Sequence, residues 1–151
     1  MNFYVHTLEY KGGPVSENLE PRNYTAADYA EYKQLYEDSF YDMRHKLGLP
    51  RECCKSSDEL LANKSIIFIL EINGCMIGSV AVYGNEIDDL FVAAGHQRHG
   101  YGQKLLRYAV SYLQKANTDR IVLHAADINK SAVSLYTGNG FIITETKEIS
   151  R

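Results

Sequence analysis

The stretch of this chain best equipped for chemistry is Gln97-Arg98-His99-Gly100-Tyr101-Gly102. It leads from an apolar strand into the start of a helix, and its glycines permit close backbone approach and unusual dihedrals. In that arrangement successive backbone N–H groups point at one anion, and the helix N-terminus adds its dipole. His96, Arg98 and His99 place positive or potentially positive side chains beside it. The chemistry predicted is capture of a phosphate or pyrophosphate. The plainer reading is a strand-to-helix corner eased by its glycines. G-x-G-x-x-G is absent, and no G-K-[ST] of a P-loop follows.

Two elements must hold this loop. Ile87 to Val92 reads as a buried strand, and Leu105, Leu106, Ala109, Val110 and Leu113 mark one face of the helix beyond Gly102. Upstream, Phe3 to Tyr10 predicts a strand at a sheet edge, broken by Lys11-Gly12-Gly13-Pro14. Leu19 to Asn23 reads as a short extended piece. Thr25 is placed to cap a tyrosine-rich helix that Gly48 and Pro50 end. Ser56 or Ser57 caps a short helix, Asp58 to Ala62. Ser65 to Glu71 and Met76 to Tyr83 form a hairpin through Asn73-Gly74. Arg120 to Ala125 is a continuous apolar strand. A short helix carrying Ala132, Val133, Leu135 and Tyr136 follows, closed by Gly138-Asn139-Gly140 before a last strand from Phe141. The order β-α-α-β-β-β-α-β-α-β predicts a mixed sheet with helices packed on it. It also predicts one domain over residues 1–151, with 1–18 an added strand and loop.

Composition excludes several classes. The net charge of -3 argues against non-specific nucleic-acid binding. No apolar run reaches membrane-spanning length, and Glu9 and Lys11 interrupt any signal-peptide core, so no membrane partner is expected. The odd cysteine count and the adjacent Cys53-Cys54 predict free thiols in a reducing cytoplasm. No ligand set stands at metal-binding spacing.

The spacing Q-x-x-G-x-G after an L-x-V strand resembles the acetyl-CoA-binding segment of the GNAT superfamily of N-acetyltransferases. A second segment, Asn129 to Phe141, is similar to the family's other recognisable stretch at Asn129, Ala132, Tyr136, Gly140 and Phe141. The resemblance implies an α/β fold: a central, mostly antiparallel sheet splayed between the fourth and fifth core strands, with helices on both faces. It implies acetyl-CoA as cosubstrate, held by Leu90, Phe91, Val92, Gln97, Arg98, His99, Gly100, Tyr101, Gly102, Gln103, Asn129, Ala132 and Tyr136. Asn129 would bind the pantetheine arm or cap its helix, or both. The activity implied is transfer of the acetyl group to an amine by direct attack, Tyr136 protonating the departing thiolate. A phenol suits that role because its ordinary pKa of about 10 is near that of a thiol.

Glu86 matches a glutamate base found in some branches of the family. Strand alternation puts Asp88 on the same face, where mutual repulsion raises one pKa, and puts Leu90 and Val92 there too. Asp89 is expected to point the other way, as a solvated carboxylate. Asp88, His124 and a water relay remain alternatives to Glu86. In the family, substrate choice falls to the first two helices, the loop between them and the last hairpin. Tyr32, Tyr36, Phe40, Tyr41, Asp38 and Asp42 could form a cation pocket, or only the packing and wet faces of one helix. No residue selects one amine. A monomer or homodimer is expected, and a non-catalytic acyl-CoA sensor is the alternative from another class.

Overall fold

The computed structural model describes residues 2–150. Seven strands form one sheet, and four α-helices cover it. The strands are β1 (Asn2–Tyr10), β2 (Arg22–Asn23), β3 (Ile67–Ile72), β4 (Cys75–Tyr83), β5 (Glu86–Val92), β6 (Val122–Ala126) and β7 (Phe141–Ser150). The helices are α1 (Tyr29–Lys46), α2 (Ser57–Ala62), α3 (Tyr101–Lys115) and α4 (Lys130–Thr137). The strand order is β2-β3-β4-β5-β6-β1-β7, with every neighbouring pair antiparallel except β5 and β6. No helix among the described residues is long and apolar enough to cross a membrane.

Local chemistry accounts for most boundaries. Asn73 and Gly74 both take positive φ, 53° and 79°, the two-residue turn that closes the β3–β4 hairpin. The Ser56 hydroxyl accepts from the Glu59 N–H at 3.2 Å and caps α2. Before α1, the Asp28 carboxylate accepts from the Thr25 N–H and from both terminal nitrogens of Arg22, tying β2 to the helix start. The resulting turn, Ala26–Asp28, is 3-10, and the α-helix begins only at Tyr29.

Each face of the sheet has its own core. On one, α3 lays Leu105, Leu106, Ala109, Val110 and Leu113 against Val80, Val82, Ile87 and Leu123. The apolar stripe of α3, repeating at three and four residues, is what buries this face. On the other, Tyr24, Tyr32 and Leu60 pack on Ile67, Ile69 and Phe91, with Tyr29, Leu35, Tyr36 and Phe40 at the margin. The tyrosines of α1 therefore serve largely as packing: the Tyr32 ring meets the Phe91 ring edge-on at 5.2 Å.

The expected edge position of the first strand is overturned. β1 lies inside the sheet, pairing with β6 over Val5–Glu9 and with β7 over its whole length, from Asn2 opposite Ser150 to Tyr10 opposite Phe141. Leu8 is wholly buried in the first core. Alternating aromatic and β-branched residues suit an edge or an interior strand alike. The partners that decide between them lie more than a hundred residues away in sequence. The edge on this side of the sheet is β7, exposed at all but Phe141.

A second correction concerns β5. Between β4 and β5 the register advances from Ala81 opposite Asp88 to Ser79 opposite Phe91, so β5 carries one extra residue. Asp89, with φ 52°, makes this bulge. The extra residue reverses the side-chain alternation downstream. Leu90 and Val92 consequently pack toward the α3 core, not on the face of Glu86 and Asp88, and Phe91 joins the α1 core.

Candidate active site

β5 and β6 meet at one ladder pair, Glu86 with Val122, supported by the Val122 N–H donating to the Asn85 carbonyl at 3.1 Å. Beyond it the strands diverge, and the gap between them is the site. β5 then passes into the 3-10 turn Ala94–His96 and the loop before α3. Gln97 Nε2 donates to the Val92 carbonyl at 3.1 Å and fixes that loop to the strand end. Gly100, at φ 81°, caps α3 in the left-handed region, and a Cβ there would meet open space. The first turn of a 15-residue helix thus presents its N–H groups to a free volume.

That volume is a cleft of about 590 Å³. It is lined by Leu90, Phe91, Val92, Gln97, Arg98, Gly100, Tyr101, Gly102, Gln103, Asn129, Ala132 and Tyr136, so twelve of the thirteen residues proposed for cofactor binding border one space. His99 is the exception: its ring lies 6.0 Å from the Tyr101 ring, and it does not border the cleft. Ser39 and Phe40 of α1, His96, Ser131 and Leu135 complete the lining. Ser39 has no signal beyond the helical period of α1, and Phe40 is expected only in a cation pocket or a packing face. Ser131 and Leu135 sit within the second family-like segment and could have been taken from it.

A second cavity, about 100 Å³, opens on the α1 side of the same gap. Phe40, Leu90, Asn129, Ala132 and Tyr136 border both cavities. Asn129 caps α4, its Oδ1 accepting from the Ala132 N–H at 3.4 Å, and the helix carries Tyr136 to the junction. The Tyr136 ring stands 6.3 Å from that of Phe141, the first residue of β7. Burial first, and the Asp88 charge second, push the Tyr136 phenol up to about 12.

The carboxylates divide by environment. Asp88 borders the small cavity and keeps part of its surface exposed. Desolvation there, then the neighbouring Asp89 charge, raises its carboxyl above the usual aspartate range. One of its oxygens accepts from the Asp89 N–H at 2.7 Å. Glu86 stands outside that lining, its Oε1 3.4 Å from His124 Nε2, and the Thr7 hydroxyl lies 3.1 Å from His124 Nδ1. His124 borders the small cavity, and its side chain is well exposed.

Asp89 departs from expectation in both direction and state. The bulge turns it to the α1 side, where it is buried and accepts from Tyr36 Oη at 2.8 Å, Lys55 Nζ at 2.8 Å and Tyr83 Oη at 2.9 Å. Burial, then the Asp89 charge, holds the Tyr36 and Tyr83 phenols above their ordinary range, so both remain donors. Glu37 anchors the same region, accepting from the N–H groups of Cys53 and Cys54. The α1–α2 loop is thereby fastened beside the small cavity. Among the described residues no three His, Cys, Asp or Glu side chains gather where they could hold a metal ion.

The model of the acetyltransferase (GNAT) family matches residues 27–141, three-quarters of the chain. The chain belongs to the GNAT family. Solved structures agree in fold. A GNAT-family protein from Novosphingobium aromaticivorans superposes with a TM-score of 0.72 at 16% identity, over 98% of this chain and 63% of that one. The Salmonella typhimurium protein yncA, solved with its cofactor acetyl-CoA, gives 0.65 at 19% identity, over 85% of this chain and 82% of its own. Diaminobutyrate acetyltransferase EctA from Paenibacillus lautus, in complex with L-2,4-diaminobutyric acid and coenzyme A, gives 0.60 at 16% identity, over 82% and 75%. The chain thus spans under two-thirds of the Novosphingobium protein. A search of curated proteins finds no match to the sequence.

Proposed function

We propose that this GNAT chain transfers the acetyl group of acetyl-CoA to a primary amine by direct attack, with Asp88 as base and Tyr136 as acid. The observation that carries the reading is that two adjoining cavities at the splayed strands share Tyr136 as a common wall. The large cleft suits the cosubstrate: the open space over the Gly100 cap and the Arg98 side chain fit a pyrophosphate, and the unpaired edge of β5 fits a pantetheine arm. Acetyl-CoA supplies the activated thioester carbonyl. The small cavity admits the amine.

The proton steps follow from the environments. An alkylammonium must lose its proton before attack, and Asp88, with its raised pKa, is a stronger base than an ordinary aspartate. Asp88 takes the ammonium proton before attack and releases it to solvent. Attack then forms the C–N bond, the C–S bond breaks, the Tyr136 hydroxyl protonates the sulfur, and the second proton lost by the nitrogen restores the phenol. The two groups are coupled, because Asp88's charge is one cause of the high Tyr136 pKa. Glu86 stands one step further out, bound to His124, and suits a relay through that ring. Cys54 is no nucleophile for a covalent route: burial first, then Glu37, push its thiol up to about 11, and it borders neither cavity.

The test is thiol release from acetyl-CoA against a panel of primary amines. Tyr136→Phe is expected to lower turnover at least about a hundredfold while leaving acetyl-CoA affinity nearly unchanged by calorimetry. Acetyl-CoA binding without thiol release from any amine would replace the enzyme by a binding module.

A further inference from the structure

The small cavity restricts what can reach the thioester. We infer that the acceptor is an amine on an unbranched carbon, an aminomethyl group at the end of a slender arm, and that Met43 and Phe40 enforce this. The inference rests on the acetyl-transfer reading and adds the substrate class. Whole ligands of drug size occupy sites of about 300 Å³ or more, and the cofactor cleft is in that range. The amine side, at about 100 Å³, is not. At roughly 30 Å³ per water-sized group it takes the nitrogen and two or three carbons.

The walls explain why the space cannot widen freely. Ala125 and Ala126 of β6 form one side and Phe40 and Met43 of α1 the other. α1 cannot withdraw easily, because Tyr36, one turn before Phe40, donates to buried Asp89, and the Tyr36 and Phe40 rings pack 4.9 Å apart. A methyl group on the carbon bearing the nitrogen, a ring amine, or a peptide N-terminus with its side chain would each press on Met43 or Phe40. Methylenes behind the nitrogen meet the aromatic and thioether surfaces they suit. The two aspartates in the lining are not equivalent. Asp89 has both oxygens occupied by Tyr36, Lys55 and Tyr83. Asp88 accepts at one oxygen from the Asp89 N–H and has no other donor among the described residues, so it is the carboxylate that meets the amine.

The experiment compares a straight-chain primary alkylamine with its isomer branched at the amine-bearing carbon, using full-length protein and saturating acetyl-CoA. Wild type is expected to favour the straight isomer by at least about tenfold in kcat/KM, the scale set by one misplaced methyl group. Met43→Ala is expected to bring the ratio within about threefold, chiefly by raising kcat/KM for the branched isomer. Phe40→Leu, a smaller volume change, should narrow it in the same direction. Equal use of the two isomers by wild type, or an unchanged ratio in both variants, would overturn the inference and leave acetyl transfer standing. Thiol release with neither isomer nor any other amine would instead overturn the acetyl-transfer reading, and this inference with it.

Discussion

Ionised Asp88 sits between the Asp89 charge and the walls of a narrow gap, an arrangement that aids proton abstraction and costs the fold. The sign follows from its raised pKa. The folded protein holds this proton more tightly than the unfolded chain does. That contribution is therefore fully present below the ordinary aspartate pKa and is lost as pH rises through the raised value. Asp88→Asn should accordingly raise Tm at neutral pH while greatly reducing acetyl transfer, and its Tm advantage over wild type should vanish in acid. Thermal unfolding from pH 3 to 8 checks this; a lower Tm at neutral pH would contradict it. The candidacy of Asp88 was legible from strand alternation, since residues 86 and 88 precede the bulge. The burial of Asp89 was not. Aspartate tolerates the left-handed region better than most residues, but nothing in the Glu86-Ile87-Asp88-Asp89 run says which position takes the extra turn.

At the scale of elements, the four-membered cluster of Asp89, Lys55, Tyr36 and Tyr83 holds β5, the α1–α2 loop, α1 and β4 in register. Removing the carboxylate strands a half-buried ammonium and two phenols. Asp89→Ala should cost about 3 kcal/mol in denaturant unfolding, the scale for breaking a buried charge pair. Lys55→Met, which keeps the apolar stem, should cost less in wild type and little when added to Asp89→Ala. Additive losses in this double-mutant cycle would show the contacts to be independent. Much at this scale was readable. The Asn73-Gly74 turn, the Ser56 cap and the α3 stripe each carry a short-range cause. The Q-x-x-G-x-G loop identified the pyrophosphate end of the cleft lining, because a backbone cradle is encoded locally. His99 was included for its charge, and charge alone does not turn a side chain inward. Ser39 was missed, and Phe40 was expected at a cation pocket or a packing face and not at the cleft, because their closeness to it depends on where α1 docks.

The whole molecule depends on pairings between distant parts of the chain. β1 is hydrogen-bonded on both sides, to β6 and β7, although its sequence resembles an edge strand. Amides of Val5 to Glu9 should therefore exchange with solvent far more slowly than those of β7 on its open side, each following the opening of the sheet rather than fraying. Rapid exchange throughout β1 would mean that its place between β6 and β7 is not firmly held. Such distant contacts cannot be read from a single sequence, because alternation specifies which face of a strand is buried and not which strands lie beside it.

The pairing of Asn2 with Ser150 also decides how the fold answers force. Asn2 and Ser150 lie side by side on antiparallel neighbours, so tension applied between these two residues loads the β1–β7 ladder as a zipper. Its hydrogen bonds break one after another from the Asn2–Ser150 end, instead of sharing the load in shear. Pulled in this direction the domain is mechanically soft. The first part to separate is the ribbon of Asn2, Phe3 and Tyr4 with Glu148, Ile149 and Ser150, ahead of the stretch in which β1 is also paired to β6.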